Sequence, residues 1–466
     1  MARVDYVSTR GDAPSLGFED VMMTGLAIDG GLYVPATWPQ LTAASLNGLA
    51  EGTYPEAALR VIEPFVGEDI ERSALAAMTA EAYAGFNHAD VAPLVQIGDG
   101  EWLLELFHGP TLAFKDFALQ LLGRLFDHVL SRRGTRITIV GATSGDTGSA
   151  AIDACRGRAN IEIFILHPEG RVSDVQRRQM TTVGDHNVHN IAVRGTFDDC
   201  QALVKAMFND TRFRDEMCLS AVNSINWARV MAQIAYYCTA AAKLGGPVQF
   251  SVPTGNFGDV FAGYAAHAMG VPIARLLVAT NRNDILTRAL TTGDYRVSGV
   301  EPTVSPSMDI QVSSNFERLL FDLTDRNGAA VQGLMAQLAT DGGFDIAPAD
   351  LAKARPLFAA ETIDEEQTLA TIAAIHAETG IVIDPHTAVG VAAARRFRRD
   401  PDVPMVALAT AHPAKFPDAV ARAIGHAPER PETLEGVMVA EEHFTILDQD
   451  LEKMQDYIRD HGSIAA

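Results

Sequence analysis

The chain has 466 residues, 47% of them hydrophobic, with 38 glycines and 22 prolines, enough for two or three domains and a sizeable core. Lysines and arginines number 37 against 59 aspartates and glutamates, a formal charge of −22 that disfavours nucleic acid and anionic membrane as partners, since both repel it. An anionic small-molecule substrate would need a local basic pocket against that background. The four cysteines, Cys155, Cys200, Cys218 and Cys238, form no C-x-x-C pair and are too few to staple the chain, so they read as free thiols of a reducing compartment. The first twenty or so residues carry charges throughout and lack an apolar core, and no apolar run reaches membrane-spanning length; the expectation is a soluble cytoplasmic protein.

Residues 1–95 read as an N-terminal segment of helices and loops. Helical patterns run over Phe18–Leu26, Tyr54–Phe65 and Ile70–Phe86, with a turn at Asp29-Gly30-Gly31 and a helix stop at Pro35. A turn at His108-Gly109-Pro110-Thr111 then leads to Lys115, set between Phe114 and Phe117, and a helical pattern follows through Leu121, Leu122, Leu125 and Phe126. Lys115 therefore sits at a loop–helix junction among apolar neighbours. Burial there would lower its pKa and free the amine as a nucleophile or base, as Schiff-base lysines require. On spacing alone, an ordinary surface lysine at a helix start is the simpler account.

From about residue 100 the pattern changes. Short β-branched apolar runs, Ile137–Val140, Ile161–Leu166, Val248–Val252, Ile273–Ala279 and Met405–Ala409, alternate with helical stretches. Such runs are buried strands of parallel sheets with crossover helices. The fold class is α/β, with two open, mostly parallel sheets flanked by helices. The expected division is 1–95 as the N-terminal segment, 96–135 with 225–466 as a large α/β domain, and 136–224 as a smaller one.

Ligands of open α/β sheets bind beyond the carboxyl ends of strands, and three loops lie there. Thr254-Gly255-Asn256-Phe257-Gly258 joins a strand to a helix, and its glycines let backbone N–H groups converge on an anion at a helix N-terminus, as suits a phosphate monoester. A plain tight turn is the alternative; the run is neither Gly-x-Gly-x-x-Gly nor a P-loop. Thr143-Ser144-Gly145-Asp146-Thr147 offers hydroxyls and backbone donors that suit a carboxylate, or Ser144 or Asp146 simply caps the next helix. Thr410 ends a strand, where its hydroxyl could equally bond its own backbone. His186 and His189 form H-x-x-H without a third ligand nearby, which suits a structural pair and no metal site.

The run HGPTLAFKD at 108–116 closely resembles the pyridoxal-phosphate lysine segment of threonine synthases, enzymes of fold type II. The resemblance extends to LAIDGGLYVP near the N-terminus, ATSGDTG, GTFDDCQ, NSINWAR, TGNFGD, SPSMDIQVSSNFERL, DPHTAVG and TAHPAKF, collinear over almost the whole chain. It implies that Lys115 carries pyridoxal 5'-phosphate covalently, that Gly255, Asn256, Phe257 and Gly258 cradle the cofactor phosphate, and that Thr410 faces the pyridine nitrogen. It further implies that Thr143, Ser144, Asp146 and Thr147 grip the amino-acid carboxylate. The implied reaction takes O-phospho-L-homoserine and water to L-threonine and phosphate by γ-elimination and β-addition of water. Two phosphates must then be held, and Arg229 and Lys415 are the candidates for the substrate's. Another fold-type II lyase, such as a serine or threonine dehydratase, and a non-catalytic pyridoxal- or amino-acid-binding paralogue are the alternatives.

Overall fold

The computed structural model describes residues 3–143, 145–398, 400 and 402–462. It is an α/β protein whose chain divides into two compact units, one of Met1–Phe114 with Ser224–Pro428, the other of Lys115–Asn223 with Glu429–Ala466.

The first unit is built on a six-stranded sheet. In spatial order its strands are Phe358–Thr362, Ile273–Thr280, Val248–Pro253, Met405–Ala409, Glu101–Glu105 and Leu94–Gly98. The first five run parallel and the last is antiparallel. Val248–Pro253 and Met405–Ala409 lie at the centre and are buried at every position; Met405–Ala409 is accordingly an unbroken apolar run, whereas Val248–Pro253 carries the buried Gln249 and Ser251, the latter donating to the Gly390 carbonyl at 2.6 Å. The helix Trp227–Leu244 is capped by Asn226, whose side chain accepts from the Ala228 N–H, and stops at Gly245 in the left-handed region (φ 70°). Its first residue anchors the N-terminal segment. The Trp227 ring lies 5.9 Å from Tyr6 and 5.6 Å from Phe65, its indole N–H donates to the Tyr6 hydroxyl, and Asn226 Nδ2 donates to the Met22 carbonyl at 2.8 Å.

The second unit holds a five-stranded, all-parallel sheet in the order Thr445–Leu447, Val188–Val193, Ile161–Pro168, Ile137–Ala142 and Leu219–Ser220. The helix Leu451–His461 buries Met454 and Ile458 in a core with Phe164, Leu166, Ile191 and Met207. Another helix, Lys115–Arg133, packs on Asp146–Cys155 with Gly123 at the closest approach; a Cβ there would lie 2.4 Å from the Ala154 carbonyl oxygen.

This division differs from the expected one in three places. The N-terminal segment packs into the first unit through Trp227. The helix Lys115–Arg133 packs with the second. The last residues, expected in the large domain, add the edge strand Thr445–Leu447 and the helix Leu451–His461 to the second sheet. A three-residue edge strand carries no periodicity to reveal its partner.

Candidate active site

In the first unit, the loop after Val248–Pro253 leads into the helix Gly258–Ala268. Phe257 caps that helix with φ 63°, a left-handed conformation that strains a non-glycine residue by about 1 kcal/mol. Packing over-determines it: the buried Phe257 ring lies 5.1 Å from Phe316 and 6.0 Å from Phe358. The loop carbonyls are tied back. Ser313 Oγ donates to the Gly255 carbonyl at 2.7 Å, and both the backbone N–H and Nδ2 of Asn315 donate to the Asn256 carbonyl at 3.1 Å. Among the described residues, the N–H groups of Gly255, Asn256, Phe257 and Gly258 have no acceptor. Four unspent backbone donors at the start of a helix, beyond the carboxyl end of a central parallel strand, fit a phosphate group.

A second wall closes on the same loop. A Cβ on Gly255 would lie 2.9 Å from the Ser307 carbonyl oxygen and 3.1 Å from Ile310 Cδ1. The Ser307 turn is held by His386, whose Nε2 accepts from the Ser307 N–H at 3.2 Å while Nδ1 lies 2.7 Å from Asp384 Oδ2. These contacts fix the tautomer, with the proton on Nδ1. Thr410, 6% exposed, follows Met405–Ala409; its carbonyl accepts from the Phe114 N–H at 2.8 Å, and Ala411 bridges Ala113 in antiparallel pairing. The residues leading to Lys115 are thereby fixed by backbone bonds. Lys415 is fully buried and donates to the Thr111 carbonyl at 2.7 Å, so it is not a solvated lysine. Arg229, 3% exposed in Trp227–Leu244, is pushed down to about 10 by burial.

In the second unit, Lys115 opens the helix Lys115–Arg133 and is 9% exposed, which removes it from the surface-lysine account. Its Nζ lies 3.4 Å from Asp146 Oδ2, and the other oxygen, Oδ1, accepts from Gln176 Nε2 at 2.8 Å. Asp146 thus has contacts other than those expected. A carboxylate would repel the substrate's carboxylate, whereas here it is the counter-ion of the lysine. Capping of the helix Asp146–Cys155 falls to Thr143, whose Oγ1 accepts from the N–H groups of Gly145 and Gly148, both at 2.9 Å. Thr147 lies half-buried in the first turn of that helix. Ser144 lies outside the described residues. His189 pairs with Glu162 at 3.1 Å and stacks on Phe164, a structural histidine.

Gln176, His386, Ser313 and Asn315 carried no role at the level of sequence. Three of them lie inside the quoted runs DPHTAVG and SPSMDIQVSSNFERL, but only the packed loops show what they hold.

An anion cradle in one unit and a buried lysine at a helix start in the other suit a pyridoxal-phosphate enzyme, and similarity to known proteins defines the class as fold type II. Residues 92–341 match the family model described as "Pyridoxal-phosphate dependent enzyme". Residues 5–83 match "Threonine synthase N terminus" and residues 387–458 match "Threonine synthase, C-terminal". The chain is 55% identical over 462 residues to the threonine synthase of Pseudomonas aeruginosa, covering 98% of each. It superposes with TM-score 0.97 and 54% identity on the crystal structure of PLP-bound threonine synthase from Brucella melitensis, covering 99% of this chain and 100% of that one. The yeast threonine synthase structure follows at TM-score 0.94 and 40% identity, with 98% of each chain covered. The chain belongs to the threonine synthase family; it is a pyridoxal-phosphate-dependent lyase acting on a small-molecule substrate. No helix among the described residues is long and apolar enough to cross a membrane.

Proposed function

We propose that the substrate is O-phospho-L-homoserine and that the products are L-threonine and phosphate. The observation that supports this is a pair of buried cations in a chain of formal charge −22: Arg229 and Lys415, 3% and 0% exposed, in the same unit as the phosphate cradle. A substrate bearing its own phosphate needs cationic groups beyond those that hold the cofactor.

Bound pyridoxal phosphate supplies the electron sink for charge developing at the substrate's Cα. The loop residues Gly255, Asn256, Phe257 and Gly258 would hold its phosphate through backbone N–H groups, and the Thr410 hydroxyl would serve its ring nitrogen. Lys115 would hold the cofactor through Nζ, and the same amine would take the Cα proton. Asp146, oriented by Gln176, receives and orients the ammonium that results. The hydroxyls of Thr143 and Thr147 would hold the amino-acid carboxylate at a helix N-terminus. Arg229 and Lys415 are the groups for the leaving phosphate. We place the protein in the cytoplasm, where its cysteines, free at all four positions, would stay reduced.

Release of inorganic phosphate from O-phospho-L-homoserine by the purified protein, with threonine formed in equal amount, is the expected result. Ammonia released from serine or threonine without phosphate chemistry would replace this reading with a dehydratase. Cofactor binding without turnover of any of these substrates would indicate a binding paralogue.

A further inference from the structure

Behind the phosphate cradle lies a buried charge that neither the fold nor the proposed reaction accounts for. Arg318 is fully buried. Its Nε donates to the Tyr33 carbonyl at 3.1 Å, one terminal nitrogen to the Ile225 carbonyl at 2.6 Å, and the other to Asn315 Oδ1. Its guanidinium lies 5.8 Å from the centroid of the Trp227 ring. Among the described residues, no carboxylate lies within ion-pair distance of it; the neighbouring Glu317 is taken by Arg10 and Thr9. Burial pulls the guanidinium down to about 9, opposed only by the charge of Glu317. A charge in such surroundings opposes folding unless something else is gained.

Its contact with Asn315 shows what that gain is. A guanidinium only donates, so it must face the oxygen of the Asn315 amide, and this turns Nδ2 the other way. Nδ2 then donates to the carbonyls of Ser224 and Asn256, both at 3.1 Å. In a trans peptide the C=O and the next N–H point in opposite directions. Tying the Asn256 carbonyl back to Asn315 therefore aims the Phe257 N–H out of the loop, and the bond from Ser313 to the Gly255 carbonyl does the same for the Asn256 N–H. The dipoles of the amide and the peptide align head to tail, with the cation at one end and the open N–H at the other.

We propose that Arg318 is the buried counter-charge of the phosphate site, acting through Asn315, and that both are positioning residues for the loop Thr254–Gly258. This rests on the reading that the loop holds the cofactor phosphate. The other possible role of Arg318, a plain tether between the Tyr33 and Ile225 backbones, makes different predictions.

The test compares full-length wild type with Asn315→Ala, Arg318→Met, Arg318→Lys and Gly258→Val. Affinities for pyridoxal phosphate and for pyridoxal, which lacks the phosphate, are measured on the apo-protein by absorbance. The ionisation of the bound phosphate is followed in the holoenzyme by phosphorus NMR. Asn315→Ala and Arg318→Met should weaken pyridoxal phosphate by about tenfold or more and pyridoxal by less than about twofold, because only the phosphate contact loses its support. Both should also raise the pH at which the bound phosphate takes up its proton, while Arg318→Lys, which keeps the charge, should leave that pH near the wild-type value. Equal weakening of both ligands, or an unmoved phosphate ionisation, would overturn the proposal. Should Arg318→Met fail to fold, Asn315→Ala decides alone, since it removes the side-chain amide that joins Arg318 to the loop and leaves the backbone N–H of residue 315 on the Asn256 carbonyl. If Gly258→Val lowers the ratio of the two affinities while the other variants do not, only the relay falls. If Gly258→Val leaves the ratio unchanged, the loop is not the phosphate site and the reading beneath the proposal falls with it.

Discussion

The loop Thr254–Gly258 offers its ligand main chain, whereas the lysine end of the other unit offers side chains. In the loop, the donors are N–H groups and their orientation is set by bonds of 2.7 and 3.1 Å to the carbonyls behind them. A strained Phe257 is locked between two aromatic rings. Around Lys115, one contact is an ion pair with Asp146 at 3.4 Å between side-chain termini, longer than a well-formed charge-assisted bond. The difference follows from what each group must do. On the proposed reading the cofactor phosphate stays in place through the reaction, so a preorganised backbone cradle suits it. On the same reading the Lys115 amine must leave one bond, move a proton and return, and a counter-ion at 3.4 Å suits that better than a tight one.

Removing the lysine should have the largest effect. Lys115→Ala should lower phosphate release from O-phospho-L-homoserine by a factor of about 1000 or more, since covalent attachment and proton transfer vanish together. The variant should still bind pyridoxal phosphate through the cradle, now reversibly on dialysis. Borohydride treatment of the wild type should fix the cofactor on the peptide containing Lys115; label on another lysine would refute the assignment.

The rigid side has its own charge cost, at Asp259. This carboxyl lies in the first turn of the helix that begins at the cradle, is 7% exposed, and accepts from the hydroxyls of Tyr236 and Tyr237 at 2.5 and 2.9 Å. Burial pushes it up from an ordinary 3.8 to about 6. The native state then binds this proton more tightly than the unfolded chain does. Its stabilising contribution is complete below the unfolded value of 3.8 and is lost as pH rises through about 6, a difference on the order of 3 kcal/mol. Asp259→Asn should remove that slope. The Tm difference between wild type and variant, followed over this pH range, should change in the variant's favour as pH rises; a constant difference would mean that Asp259 is ionised throughout.

Much of this architecture was legible in the sequence. Met405–Ala409, an unbroken apolar run buried on both faces, is a strand over the expected residues, and Val248–Pro253 and Ile273–Thr280 extend the expected runs by one residue each. Lys115, the glycine loop and Thr410 stood out because each is a short local pattern at a strand or helix end. The braces did not. Asn315 is about sixty residues from the carbonyl it holds, and Gln176 is 30 from Asp146. A hydrogen bond across such separations leaves no local periodicity. The C-terminal edge strand was missed for a related reason: its pairing with Val188–Val193 is fixed by the second sheet, not by its own three residues.

The two glycines of the cradle separate protein packing from ligand approach. Gly255 faces the Ser307–Met308 turn, whose backbone would meet a new Cβ at 2.9 and 3.3 Å; Gly258 faces the side chain of Asn315 at 3.3 Å. Gly255→Val should therefore destabilise the apo-protein itself by about 2 kcal/mol through overpacking against backbone, whereas Gly258→Val should weaken the cofactor more than the fold. Thermal unfolding with and without pyridoxal phosphate distinguishes the two. Equal apo Tm values for Gly255→Val and wild type would mean that the Ser307 turn yields freely and that the cradle is less rigid than its contacts suggest.

The smallest effect is expected at Thr410, where main chain and side chain have separate duties. Its carbonyl holds the Phe114 N–H at 2.8 Å whatever the side chain is. Thr410→Val keeps the β-branched shape at the strand end and removes only the hydroxyl, so the path into Lys115 should be undisturbed. If the hydroxyl faces an unprotonated ring nitrogen, its loss should weaken pyridoxal phosphate by about 1 kcal/mol, roughly fivefold in Kd, and Thr410→Ser should restore most of it. Thr410→Asp should bind the cofactor yet lose more turnover than Thr410→Val, because a carboxylate favours a protonated ring and shifts the electron demand of the reaction. Wild-type turnover in Thr410→Asp would show that this side chain does not touch the ring, leaving Thr410 a main-chain support for the lysine segment.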